Sequence, residues 1–167
     1  MKLAIDAYYT EEKAITAGIG FETWESDVEC GRFLAKNRIT SEYIPGKFYK
    51  RELPGILSLL NIVPWTPEII IIDGYVTLGE GRIGLGGHLF NAIGRQVPII
   101  GVAKRAYSGN STALPLLRSS SKRPLFITAM GIAVEDTKAH IASMAGKNRI
   151  PTILKAVDSL ARGRLAM

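Results

Sequence analysis

IIIIDGYVTLGEGRIGLGGHLF, residues 69–90, decides how the rest of the chain is read. Four consecutive isoleucines end at Asp73, a continuous β-branched run of the kind found in strands buried on both faces of a sheet. Glycines then crowd ahead of a helix predicted over 84–95. Gly79, Gly81 and Gly84 spell G-x-G-x-x-G, the pattern of a dinucleotide-binding loop. The context argues against that reading. In such a loop the first glycine sits at the strand end, so that a pyrophosphate meets the helix N-terminus. Here GYVTL separates Asp73 from Gly79, and Lys104 stands where the ribose-binding acid is expected. There is also no G-x-x-x-x-G-K-[ST] loop. What remains is an acid at the end of a buried strand, a position that also suits a simple turn cap.

Working outward, Asp6 also ends an apolar strand, LAID, near the start of the chain. Residues 2–9, 13–23 and 27–38 read as three strands with short connections, an antiparallel meander. Pro45 and Gly46 interrupt regular structure, a short helix is predicted over 53–62, and Pro64 and Pro67 frame the loop into residues 69–73. Further strands are expected over 97–103 and 123–130, with helices over 134–146 and from Pro151 to Ala161. The polar stretch 108–124 reads as loop. A meander followed by alternating strands and helices predicts an α/β mixed sheet, in one domain over 1–163 with a frayed tail over 164–167.

If the first and fourth strands are neighbours, Asp6 and Asp73 share one edge of the sheet. Carboxylates brought to one place repel, and one pKa rises. A divalent cation removes that cost, and acids clustered without Cys or His suit Mg²⁺ or Mn²⁺. Lys104, just after the strand IIGVA, is either a plain surface lysine or a group that holds a phosphate or a water. Taken singly, Glu52 reads as a solvated loop acid and Asp158 as the exposed face of a helix.

The 167 residues carry 21 Lys and Arg against 15 Asp and Glu, a formal charge of +6 that favours a polyanionic partner such as nucleic acid. A single cysteine, Cys30, excludes a disulfide framework and a cysteine-rich zinc site. No apolar run approaches the roughly 20 residues that span a bilayer. MKLAIDAYY reads as a first strand and not a signal peptide, so no membrane partner and a cytoplasmic location are expected. His88 and His140 read as packed or surface histidines. The basic residues Lys104–Arg105 and Arg118–Arg123 form either a phosphate-binding face or an ordinary solvated loop.

LAIDAYY, YIPGKFYKRELP, IIIIDG, GLGGH, VPIIGVAK and RIPTILKAVD occur in this order along the chain. Together they resemble endonuclease V, the deoxyinosine-specific nuclease with a ribonuclease H-like fold. The resemblance implies that Asp6 and Asp73 bind a metal ion directly and that Glu52 completes the site. It implies that Lys104 is the active-site lysine and that Asp158 is the late acidic residue that helps position the metal and the attacking water. It assigns Tyr43, Ile44 and Pro45 to a wedge loop that contacts nucleic acid, with Tyr43 inserted where the damaged base leaves the stack. Gly46 and Gly74 would contribute backbone to the pocket for the flipped hypoxanthine, where bare backbone approaches a base edge closely. The implied activity is Mg²⁺-dependent hydrolysis, with Mn²⁺ as the alternative ion, that nicks DNA on the 3′ side of the lesion.

The chain departs from the family pattern at named positions. After the strand and its DG, members carry G-x-x-H-P-R; here VTLGEGR stands, with Gly79 and Gly81 in place of His and Arg. Val76 replaces a glycine beside the pocket, and Glu42 replaces the proline before the wedge tyrosine. The alternatives are a metal-dependent nuclease for inosine-containing or structured RNA, or for DNA without a lesion, and an inactive nucleic-acid-binding homologue.

Overall fold

The computed structural model describes residues 1–10, 13–38 and 49–167. β1 (Lys2–Tyr9), β2 (Lys13–Phe21) and β3 (Gly31–Arg38) form the expected antiparallel meander. The second and third strands are shorter than their sequence patterns suggest. The chain between them turns tightly, with Ser26 Oγ accepting from the Val28 amide and the Cys30 amide returning to the Gly20 carbonyl. α1 (Tyr49–Leu60) begins four residues before the predicted helix and carries Pro54 inside it, on the exposed side.

β4 (Ile69–Asp73) follows, then a small hairpin of β5 (Thr77–Gly79) and β6 (Arg82–Ile83), and α2 (Leu85–Ala92). The chain continues through β7 (Ile99–Ala103), β8 (Leu114–Leu116), β9 (Leu125–Met130), α3 (Val134–Ser143) and α4 (Thr152–Ala161). Seven strands make one sheet in the order β3-β2-β1-β4-β7-β9-β8. β4 lies parallel to β1 and β7 parallel to β4, whereas β9 and β8 return antiparallel. The sheet is therefore parallel only at its centre. β8 falls inside the stretch read as loop; it is a three-residue edge strand containing Pro115, too short to show a strand pattern.

The isoleucine run explains the layers. Successive side chains of a strand point to opposite faces. Ile71 packs on one face with Ile100, Ile127 and the α3–α4 side chains Ile141, Ile153 and Val157. Ile70 and Ile72 pack on the other with Ile56 and Leu59 of α1 and Leu89 of α2. Both faces are covered, as a parallel sheet centre requires. No helix among the described residues is long and apolar enough to cross a membrane.

Candidate functional site

The register of the central strands builds the site. Ile5 pairs with Ile72 across the parallel β1–β4 ladder, which brings Asp6 and Asp73 side by side at the C-terminal edge of the sheet. Open α/β sheets bind ligands at this edge. Lys104 is the first residue past β7, the next strand over, and its Nζ donates to Asp73 Oδ2 at 2.5 Å. Asp6 Oδ1 accepts from the Ala7 amide at 2.7 Å.

Two small cavities flank this carboxylate pair. On the α1 side, Glu52 joins Asp6 and Asp73 around a space of about 20 Å³, lined also by Ile56, Ile72 and Leu85. That is room for a single water-sized species. On the α4 side a similar cavity is bounded by Asp6, Asp73 and Lys104 and roofed by Ile150, Leu154 and Val157. Asp158 follows Val157 on α4, with its Oδ1 accepting from Arg162 Nε at 2.9 Å. The Arg162 guanidinium in turn lies 4.9 Å from the centre of the Tyr8 ring.

Burial and crowding set the charges. Burial, then the Asp73 carboxylate, pushes Asp6 up to about 7, against the pull of Lys104. Burial, then Asp6 and Asp73, pushes Glu52 up to about 8 in spite of the neighbouring Arg51. Burial draws the Lys104 pKa down, but the hydrogen bond and charge of Asp73, with Asp6 and Asp158 behind it, more than offset this and leave it raised. The ammonium is therefore the fixed positive charge of the site.

Among the described residues no three carboxylate, histidine or cysteine side chains stand close enough to form a finished ion cage. The donor set nevertheless fits a hard divalent cation. Three carboxylates line one cavity, no soft ligand is near, and two of the three are held protonated toward neutral pH by burial and mutual repulsion. A cation there relieves that repulsion.

Gly74 lies next to Asp73 with φ at +136°, backbone that side-chain-bearing residues rarely adopt. Its carbonyl crosses β7 at Gly101, where an added Cβ would stand 2.5 Å from that oxygen. Tyr43, Ile44, Pro45, Gly46 and Glu42 lie outside the described residues. Val76 is fully buried, packed into the core beneath α2. Gly79, Glu80 and Gly81 have φ of +80°, +53° and +74°, so the glycines serve the hairpin turn and not a phosphate loop. His88 stacks on Tyr49 with ring centres 3.5 Å apart, and His140 on Trp24 at 4.7 Å, both packed histidines.

Two arginines hold backbone in ways that the sequence does not signal. Arg118 is buried rather than part of a solvated or phosphate-binding face. Its guanidinium donates to the carbonyls of Met144, Asn148 and Arg149, and more weakly to Gly146, fixing the α3–α4 connection. From that connection Arg149 donates to the Lys104 carbonyl at 2.5 Å and the Pro124 carbonyl at 2.7 Å. The backbone carrying Lys104 is thus tied to the loop before α4.

A mixed sheet covered by helices on both faces, with carboxylates gathered at the C-terminal edge of its central parallel strands, is a ribonuclease H-like architecture. Within that class, the chain belongs to the endonuclease V family, whose family model matches residues 3–143. The endonuclease V of Streptomyces avermitilis is 27% identical over 96% of this chain and 79% of its own length. A crystal structure of endonuclease V from the same species superposes with a TM-score of 0.80 at 26% identity, covering 96% of this chain and 79% of that one. Ciona intestinalis endonuclease V, crystallised in complex with a 24mer DNA containing an inosine followed by a ribo-adenosine, shares the fold. It is 16% identical, with a TM-score of 0.80, over 97% of this chain and 84% of that chain. Across the first curated relatives, the matched region spans 64% to 79% of their length.

Proposed function

We propose that this protein is a divalent-metal-dependent endonuclease that hydrolyses a phosphodiester beside deoxyinosine in DNA and leaves a nick on the 3′ side of the lesion. The observation that carries the reading is the β1–β4 register, which sets Asp6 and Asp73 together beside Glu52 and Lys104. The Ciona intestinalis relative, crystallised with inosine-containing DNA, supports the choice of substrate.

Asp6, Glu52 and Asp73 would hold Mg²⁺ or Mn²⁺. When bound, the ion supplies a water of lowered pKa and neutralises charge on the scissile phosphate. Lys104, held charged by Asp73, faces the exposed side of the site and stabilises negative charge that builds on the phosphate oxygens. Asp158, fixed by Arg162 at the α4 side, orients a water from the wall opposite Glu52. Gly74 contributes bare backbone to the base pocket. The net charge of +6 draws the polyanion to the protein.

The test is to incubate end-labelled oligonucleotides, matched except for one inosine, as DNA and as RNA, with Mg²⁺ or Mn²⁺, and to map the cut. We expect a nick 3′ of inosine in DNA that disappears in Asp73→Ala. Cleavage that ignores inosine or prefers RNA supports the second reading, a metal-dependent nuclease of another specificity. The turn that replaces the family's His and Arg with Gly79 and Gly81 favours that reading.

A further inference from the structure

Lys104 and Gly74 each lead into a segment, and these two segments lean on one another. The segment 105–112 follows Lys104; the β5–β6 hairpin follows Gly74 and Tyr75. Tyr75 donates its hydroxyl to the Arg105 carbonyl at 2.6 Å, and Asn110 Nδ2 donates to the Thr77 carbonyl at 2.7 Å. The hydroxyls of Thr77 and Thr112 meet at 2.9 Å. Gly79 runs so close to the other segment that an added Cβ would stand 2.7 Å from the Gly109 carbonyl. The wall beside the carboxylates is thus cross-linked at several points.

This wall presents an aromatic ring to solvent. Tyr107 is 42% exposed, the one aromatic among the exposed large apolar side chains of the described residues. The Arg82 guanidinium lies 5.9 Å from the centre of its ring, and the Tyr75 ring backs it at 6.0 Å with the planes tilted by 59°. Arg82 is half-exposed, and its acidic neighbour Glu80, 3.8 Å away and 80% exposed, restrains it weakly. A supported ring with a cation at its face, beside a second exposed cation at Arg105, combines the two elements that bind single strands: a stacking surface for a base and charge for the backbone.

We propose that Tyr107 and Arg82 form a stacking platform for one unpaired nucleotide of the substrate strand, flanking the phosphodiester that is cut. The inference rests on the nuclease reading of the neighbouring carboxylates. The base stacks on Tyr107, and Arg82 meets the adjoining phosphate.

The experiment measures fluorescence anisotropy of a labelled single-stranded oligodeoxynucleotide containing one deoxyinosine in EDTA, over a range of salt, and cleavage of the same strand with Mg²⁺. The proteins are wild type, Tyr107→Ala, Tyr107→Phe and Arg82→Ala, each matched for thermal midpoint. Tyr107→Ala is expected to weaken binding by about fivefold or more. Tyr107→Phe keeps the ring and stays within about twofold of wild type. Arg82→Ala lowers the salt slope by about one phosphate contact. Cleavage at subsaturating protein is expected to fall in step with affinity in Tyr107→Ala and Arg82→Ala and to hold within about twofold in Tyr107→Phe. If wild type binds and cleaves while Tyr107→Ala and Arg82→Ala behave identically to it, the platform is overturned and the nuclease reading survives. If wild type binds without cleaving, the nuclease reading falls and the platform's place beside a cut phosphodiester falls with it, even where Tyr107→Ala weakens binding. A wild type that binds no strand overturns both.

Discussion

Asp6 and Glu52 are acids that the folded chain prefers to keep protonated. Their folded pKa values, about 7 and about 8, lie above the ordinary values of 3.8 and 4.5. The folded state therefore holds protons that the unfolded chain has already released, and stability must fall as pH rises through this window. In a protein stripped with chelator, the thermal midpoint is expected to decline from about pH 5 to pH 8. Added Mg²⁺ should recover more of it at the upper end. Glu52→Gln, which cannot ionise, should flatten the decline; an unchanged pH profile in that variant would refute the crowding of these carboxylates. Lys104→Met removes the positive charge facing Asp73, and under the proposed function single-turnover cleavage should slow by roughly a hundredfold or more. Because the side chain is 40% exposed, the thermal midpoint should barely move.

At the scale of elements, the α3–α4 connection matters more than its irregular backbone suggests. Arg118 gathers its carbonyls, and Arg149 passes the restraint to the backbone of Lys104. Arg149→Met should lower the cleavage rate at saturating DNA while leaving DNA affinity in place, and Arg149→Lys should recover part of the loss. A change confined to affinity would show that Arg149 acts at the DNA and not on Lys104. The strands around the site were legible in the sequence because burial on both faces writes an unbroken apolar run, as in IIIID and LAID. Other elements were not. α1 starts at Tyr49, ahead of a proline that usually marks a beginning, and the β5–β6 hairpin hides in glycines that resemble a nucleotide loop. A buried arginine that bonds only to carbonyls, such as Arg118, leaves no partner residue to find in the sequence. The adjacency of Asp6 and Asp73 could be read only as a condition on strand order, which the parallel β1–β4 ladder satisfies.

For the whole molecule, the sheet collects acids at one edge of a protein whose net charge is positive. The core that holds this edge is divided by the sheet, so its integrity depends on the central strands. Ile71→Ala, at a fully buried position, should cost about 2–5 kcal/mol in denaturant unfolding and should lower metal affinity only through the loss of folded protein. The proposed function requires that Asp6, Glu52 and Asp73 act as one cation site and that this site drives hydrolysis. The most direct measurement is Mn²⁺ binding by electron paramagnetic resonance, made on wild type and on Asp73→Ala and followed by cleavage with the same samples. Wild type is expected to sequester Mn²⁺ and Asp73→Ala is not, with cleavage disappearing along with the bound ion. Mn²⁺ bound equally well by Asp73→Ala, or cleavage that persists without it, would show that these carboxylates are not the hydrolytic cation site.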